Sequence, residues 1–379
     1  MSNPDLDRNS LLGGRTIQFN ASASTPRYSD SPPSPAAVPP LDHKLPGHHN
    51  SVPHYHQSWH RELLDVGIFK DTIFPSLSLH GTLALAAYGI GRATNTVEVK
   101  NLLWPTAPIA NAWWSAVGRK VQRGLSLGQA LSLLSRPERL LLTGVTLWGG
   151  RLLYRVASRS IRRRKSQKGT DDTRWEEAKK DPDFWNRAIF TIFLPEALIQ
   201  TIITLPFTAP YHHQGKVISG YHPVIQSVAV GLFSAGLALE ILADNQLSAY
   251  KETANDERAV CKEGVWSLVR HPNYLGDALI HFSFPVLLYG SDLLAPIEIL
   301  GSIANYFFLR HVGGDKQTEA HQHRRYSQSS LEKHADFERF KQSHNSFWPK
   351  ADVLTNKWLW IVVGAGAAGA AAEQVINFI

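Results

Sequence analysis

Gly264-Val265-Trp266-Ser267-Leu268-Val269-Arg270-His271-Pro272-Asn273-Tyr274-Leu275-Gly276-Asp277 runs directly into an apolar stretch, 278–290. The junction sets Arg, His, Asn, Tyr and Asp at the mouth of a helix apolar enough for a bilayer. Ionisable groups at that depth are costly and need partners. Five polar residues held together there point to a polar ligand. A helix cap with an interfacial anchor is the plain alternative, since Arg and Tyr are common at membrane edges.

Working outward, the chain carries a series of apolar runs near the length of about 20 residues that a bilayer requires. They cover 68–90, 102–118 (with Pro105 and Pro108), 140–156, 188–209, 224–242, 278–289, 293–309 and 358–372. The pair 278–289 and 293–309 reads as a helical hairpin turning at Ser291-Asp292. Trp104, Trp113, Trp114, Trp148, Trp185, Trp348, Trp358 and Trp360 sit near run ends, as interfacial belts require. Most of the runs lack the polar stripe of a helix packed in a soluble protein. The expectation is an all-α, polytopic transmembrane helix bundle of about seven or eight segments over 61–379. Residues 1–60, rich in Ser, Pro and His, cannot bury enough apolar surface to order themselves and are expected to be a disordered tail. That tail explains why the mean hydropathy of the whole chain is only −0.19.

Composition removes other classes. No basic segment followed by an apolar one opens the chain, so no cleaved leader is expected. A single cysteine, Cys261, excludes an internal disulfide framework and Cys-based metal ligation. The 17 histidines lie mostly in the tail and near the C-terminus, without an HExxH, and no metal site is expected. The net charge of +7 suits nucleic acid or an anionic membrane surface. The apolar runs decide for the lipid bilayer, with no nucleic-acid partner. Gly364-Ala365-Gly366-Ala367-Ala368-Gly369 imitates a dinucleotide loop, but no second strand or distal acid follows it. Small residues in an apolar run predict close helix packing instead.

Basic residues set orientation. Arg162-Arg163-Arg164-Lys165 and Lys168 place 157–187 in the cytosol. One crossing per later run then puts 246–277 and 310–357 on the same side. The tail's side stays open, because 102–118 either crosses or re-enters.

R-H-P-N-Y-x-G-D resembles the C-terminal signature of the membrane reductases related to steroid 5-alpha-reductase and the sterol reductases. Other stretches resemble the DUF1295 branch of that superfamily over about 140–350. They are Leu147-Trp148-Gly149-Gly150-Arg151-Leu152, Asp171-Asp172-Thr173-Arg174-Trp175, Leu205-Pro206 and Glu240-Ile241-Leu242-Ala243-Asp244-Asn245-Gln246. Glu319, Tyr326, Phe337, Phe340, Lys341, Phe347 and Pro349 follow in family order. Isoprenylcysteine carboxyl methyltransferases share R-H-P-x-Y-x-G and use S-adenosylmethionine.

The resemblance implies a cytosol-facing NADPH site in an endoplasmic reticulum protein that reduces a C=C bond of a lipid or sterol-like substrate. S-adenosylmethionine-dependent methyl transfer and a non-catalytic role are the alternatives. Under the reductase reading Lys251, Arg270 and Arg324 with Arg325 would meet the phosphates. Asn273 would meet a carboxamide, and Trp266 and Tyr274 would offer ring faces. Gly276 would let the cofactor approach the backbone. Asp277 and Glu319 would accept from amide or ribose groups. His271, His323 and Tyr326 complete the expected cofactor set, and Tyr274 and Asp277 are the catalytic candidates. Leu247 and Phe340 stand where many relatives have lysine and tyrosine, and the ketone-polarising Gln-Glu and Tyr pair of true steroid 5-alpha-reductases is absent.

Overall fold

The structure is a computed structural model that describes residues 66–165, 173–212, 222–253 and 260–378. The proposed tail and Asp171-Asp172 lie outside them. The described residues are helical, with no strand among them.

Ten helices carry the argument: α1 (Phe74–Thr94), α2 (Val99–Trp113), α3 (Arg136–Lys165), α4 (Leu194–Ile203), α5 (Pro223–Thr253), α6 (Pro272–Gly290), α7 (Ile299–Phe307), α8 (Asp315–Ser329), α9 (Leu331–Ser343) and α10 (Lys357–Phe378). Proline sets two starts. Pro223 and Pro272 open α5 and α6, where the missing N–H would have had no helical partner. Pro105 and Pro108 lie inside α2, which stays helical and continues through a wide turn, Trp114–Gly118. The expected hairpin turn is present: α6 ends at Gly290, and Asp292 adopts a left-handed conformation at φ 57°.

Three helices are long and apolar enough to cross a bilayer: Phe69–Thr94, Pro223–Glu252 and Lys357–Ile376. A bent pair, Phe184–Ile203 with Leu205–Tyr211, makes a fourth if its 56° break lies within one span. The remaining described helices fall short in length or apolarity. Phe74, Leu85, Ile90, Val224, Val228, Trp360, Ile361 and Val363 are exposed on the apolar helices. A water-soluble surface rarely gathers such residues; lipid tails cover them at no cost, so the bundle is membrane-embedded.

α5 is the axis, packing along α6 on one side and α10 on another. Glycines permit both contacts. A Cβ on Gly236 would stand 2.6 Å from the Gly276 carbonyl, and one on Gly276 would stand 2.7 Å from the Gly236 carbonyl. Gly366 meets the Gly231 carbonyl in the same way, and Gly369 meets Ser234. The GxGxxG imitation is therefore a packing stripe inside one helix. Gly236→Val is expected to cost about 1–3 kcal/mol through overpacking, read as a lower melting temperature in detergent. Gly81→Ala, whose Cβ meets nothing within 4 Å, should leave it unchanged or raise it.

Two apolar clusters flank this axis. One joins Leu141, Val145, Trp148, Phe207, Ile280, Phe284 and Leu288. The other lies under the signature, with Leu239, Ala243, Val265, Val269, Leu275 and Phe347.

Candidate functional site

The signature enters α6 through a short turn, Gly264–Ser267. Gly264 needs its φ of +70°, and a Cβ there would strike the Gln246 side chain. Gln246 Oε1 accepts from the Val265 N–H at 2.8 Å, and the Trp266 indole donates to the Ala243 carbonyl at 3.1 Å. The E-x-x-A-D-x-Q stretch of α5 thus holds the start of the signature. Beyond it, the Arg270 and His271 N–H groups donate to the carbonyls of Asn345 and Ser346 at 3.0 and 3.1 Å.

Arg270 is clamped. Its Nε and Nη2 donate to the two oxygens of Glu319, each at 2.9 Å, a forked pairing that fits guanidinium to carboxylate. Its Nη1 donates to the carbonyls of Lys341 (3.2 Å) and His344. His271 Nε2 lies 2.9 Å from Glu319 Oε1. The His271 ring stacks on Tyr274 at 5.3 Å and 10°, and the Tyr274 hydroxyl lies 3.3 Å from Thr318 Oγ1. Burial pushes the Glu319 carboxyl up, but hydrogen bonds and charge from His271 and Arg270 outweigh it and hold the pKa at about 2.

One turn deeper, Asp277 is buried. It accepts from the Trp148 indole at 2.8 Å and the Asn305 amide at 3.0 Å. His281 lies below it, 3.9 Å from its Oδ2, edge-on to Trp148 and beside Phe207 and Phe284. Both His281 ring nitrogens and Asn305 Oδ1 are buried without a hydrogen-bond partner among the described residues. Alongside, Arg151 of α3 donates to Glu240 at 2.9 Å and pairs with Asp244, which also takes Arg155 at 3.0 Å.

These contacts sort the expected site residues. Arg270, His271, Tyr274 and Glu319 are one interlocked group. Asn273, beside them and half-buried, makes no side-chain hydrogen bond to a described residue. Asp277 belongs to the deeper layer. Trp266 packs on α5. Gly276 opens onto no cofactor space, because α5 fills it: a Cβ there would stand 2.8 Å from Glu240 Cγ as well as against the Gly236 carbonyl. Lys251 is exposed near the end of α5. His323, Arg324 and Tyr326 lie farther along α8. Tyr326 is buried edge-on to Phe337 at 5.6 Å with Lys333 over its ring, and so serves the α8–α9 contact. Arg324 is exposed, and His323 turns toward α9.

A cavity of about 400 Å³ beside the clamp is lined by Ser267, Leu268, His344, Asn345, Lys350 and Asn356, and the Asn356 amide donates to the Ser267 hydroxyl at 2.8 Å. Burial, and next the Lys350 charge, lower the His344 pKa.

The expected site set omits Trp148, Arg151, Glu240, His281 and Asn305. The first three stand in the quoted motifs, and of them Arg151 and Glu240 could have been paired by opposite charge. His281 and Asn305 give no such signal beyond being polar in apolar runs. The same holds for His80, which meets Asn111 and Thr204 between α1, α2 and α4 at 3.3 and 3.4 Å.

No curated protein and no solved structure matches the chain. A family described as protein of unknown function, DUF1295, matches residues 87–343, which takes in Trp148, Arg151, Glu240, the whole signature and Glu319. The chain belongs to the DUF1295 family.

Proposed function

We propose that this protein is an NADPH-dependent, reductase-like membrane protein acting on a C=C bond of a lipid or sterol-like substrate. One observation carries the reading: a largely buried polar cluster at the start of α6 is followed one turn on by a buried carboxyl, Asp277. A water-soluble cofactor and a lipid must meet at such a junction, and an acid kept inside an apolar bundle is a functional group by default.

The donor set fits NADPH in part. Asn273 offers a free carboxamide to match that of nicotinamide, and Tyr274 offers a ring and a hydroxyl. Lys350, Arg324 and Arg325 supply positive charge near the phosphates' expected path, while Arg270 braces the cluster rather than the phosphates. Bound NADPH would supply the hydride. Asp277 would hold or deliver the proton at the acceptor carbon, and the aromatic cage of Trp148, Phe207 and Phe284 would exclude water.

We read the shorter helices as completing seven or eight crossings in the endoplasmic reticulum. Residues 157–187, 246–277 and 310–357 face the cytosol. In support, Arg162 lies 3.8 Å from Glu252, Lys262 pairs with Asp336 and Arg270 with Glu319, so these segments share one end.

One contact favours a second reading. Glu319 and two carbonyls occupy the Arg270 guanidinium, and S-adenosylmethionine has no phosphate to demand it. Thermal shift of the purified protein separates the two. NADPH at a hundredfold excess over Kd should stabilise by about 2.7 kcal/mol, and Asn273→Ala should remove the gain. Stabilisation by S-adenosylmethionine alone would replace the reductase reading with methyl transfer. Stabilisation by neither would leave a non-catalytic role.

A further inference from the structure

We propose that His323, His334 and Glu338 form a zinc-type divalent metal site that fastens α8 to α9. The site is independent of the NADPH reading. α8 and α9 form a tight hairpin turning at Ser330. His323 comes from α8. His334 and Glu338 come from α9, four residues apart and so on one face. One ligand atom from each lies within 4.8 Å of the others.

The spacing suits a metal. His323 Nδ1 is 3.0 Å from Glu338 Oε1 and 3.2 Å from His334 Nε2. Bonds of about 2.0–2.1 Å in a tetrahedron place neighbouring ligand atoms about 3.3 Å apart. Proton counting points the same way. Nδ1 carries either one proton or one lone pair. A single N–H can point well at only one of its two neighbours. A cation at the centre meets all three lone pairs at once.

Two imidazoles and one carboxylate select borderline transition ions, zinc foremost, over calcium or magnesium, which take oxygen ligands. His323 is 49 % exposed, which leaves the fourth position open to water. Lys341 competes, with Nζ 3.1 and 3.3 Å from the Glu338 oxygens, but an exposed pair of this kind is weak. The hairpin position gives the site its consequence. His323 is one turn along α8 from Glu319, so a metal there would fix the helix that clamps Arg270 and His271.

The experiment uses full-length protein in detergent, stripped with chelator and titrated with zinc by calorimetry. Six tail histidines (His43, His48, His49, His54, His56 and His60) supply background binding. The reading is therefore the difference between the parent and His323→Ala/His334→Ala: one equivalent lost. A parent with all six tail histidines replaced by alanine should keep that equivalent. His334→Cys, which retains a zinc ligand, should keep it too, and Co²⁺ should give a visible tetrahedral band in the parent that the double variant lacks. Equal stoichiometry in parent and double variant, or no cobalt band in the tail-histidine variant, overturns the site. All three side chains are at the surface, and an unchanged melting temperature of the metal-free double variant confirms that it is folded.

Discussion

Glu319→Ala should destabilise the protein by about 3–5 kcal/mol, the usual cost of leaving one member of a buried ion pair without its partner. The Arg270 and Glu319 side chains are only 10 and 14 % exposed, so water cannot replace the lost carboxylate. The damage would spread, because Glu319 also holds His271, and the Arg270 backbone is tied to Asn345. Thermal unfolding in detergent reads the effect. Arg270→Leu/Glu319→Leu should be milder than either single loss, since an apolar pair leaves no stranded charge. The same clamp sets an acid limit. The folded carboxyl sits at about 2 against an ordinary 4.5. A depressed pKa stabilises above the unfolded value, so the contribution is whole above pH 4.5 and fades as pH falls toward 2. An unchanged melting temperature for Glu319→Ala would mean that the clamp is ornament and that some other contact holds α8 to the signature.

The fold is legible in the sequence where one local rule decides it. Apolar runs mark the long helices α1, α5 and α10, and Pro272 marks the start of α6. Charge signs at Arg151, Glu240 and Asp244 lie in plain view, but pairing α3 with α5 needs the register of two helices far apart in sequence. Gly276 misleads for the same reason. A glycine in a signature suggests a cofactor, yet its missing Cβ accommodates Gly236, a partner 40 residues earlier that no local pattern names. Tyr326 misleads by belonging to a family pattern whose order says nothing about which face of α8 it occupies. His323 stands in the expected cofactor set, where the resemblance puts it. Its partners His334 and Glu338 show the helical spacing of four, but only the α8–α9 turn brings them to it. The Asp277 layer is half legible: the acid is in the signature, while Trp148 and Asn305 come from two other helices.

That layer yields the sharpest functional test. Under the proposed reductase reading, Asp277→Asn should retain folding and NADPH binding yet lower turnover by about 10²–10⁴-fold, the range for loss of a positioned acid or base. The substitution is conservative here for a specific reason. An amide at 277 can still accept from the Trp148 indole through its oxygen. Its new NH2 would face the Asn305 NH2, but Asn305 Oδ1 has no partner among the described residues. A flip of the Asn305 amide turns that oxygen toward the new donor and restores the bond. Asp277→Leu lacks this escape. It strands the Trp148 and Asn305 donors, at about 1–3 kcal/mol each, and should lose stability as well as activity. The pair therefore separates chemistry from architecture. Because the acceptor lipid is a class rather than a compound, the readout is the lipid profile of cells lacking the protein and complemented by each variant. Asp277→Asn, made at parental level and still stabilised by NADPH, should leave the unreduced lipid accumulated. Full restoration of the profile would remove Asp277 from the chemistry and reduce the buried carboxyl to a joint between α3, α6 and α7.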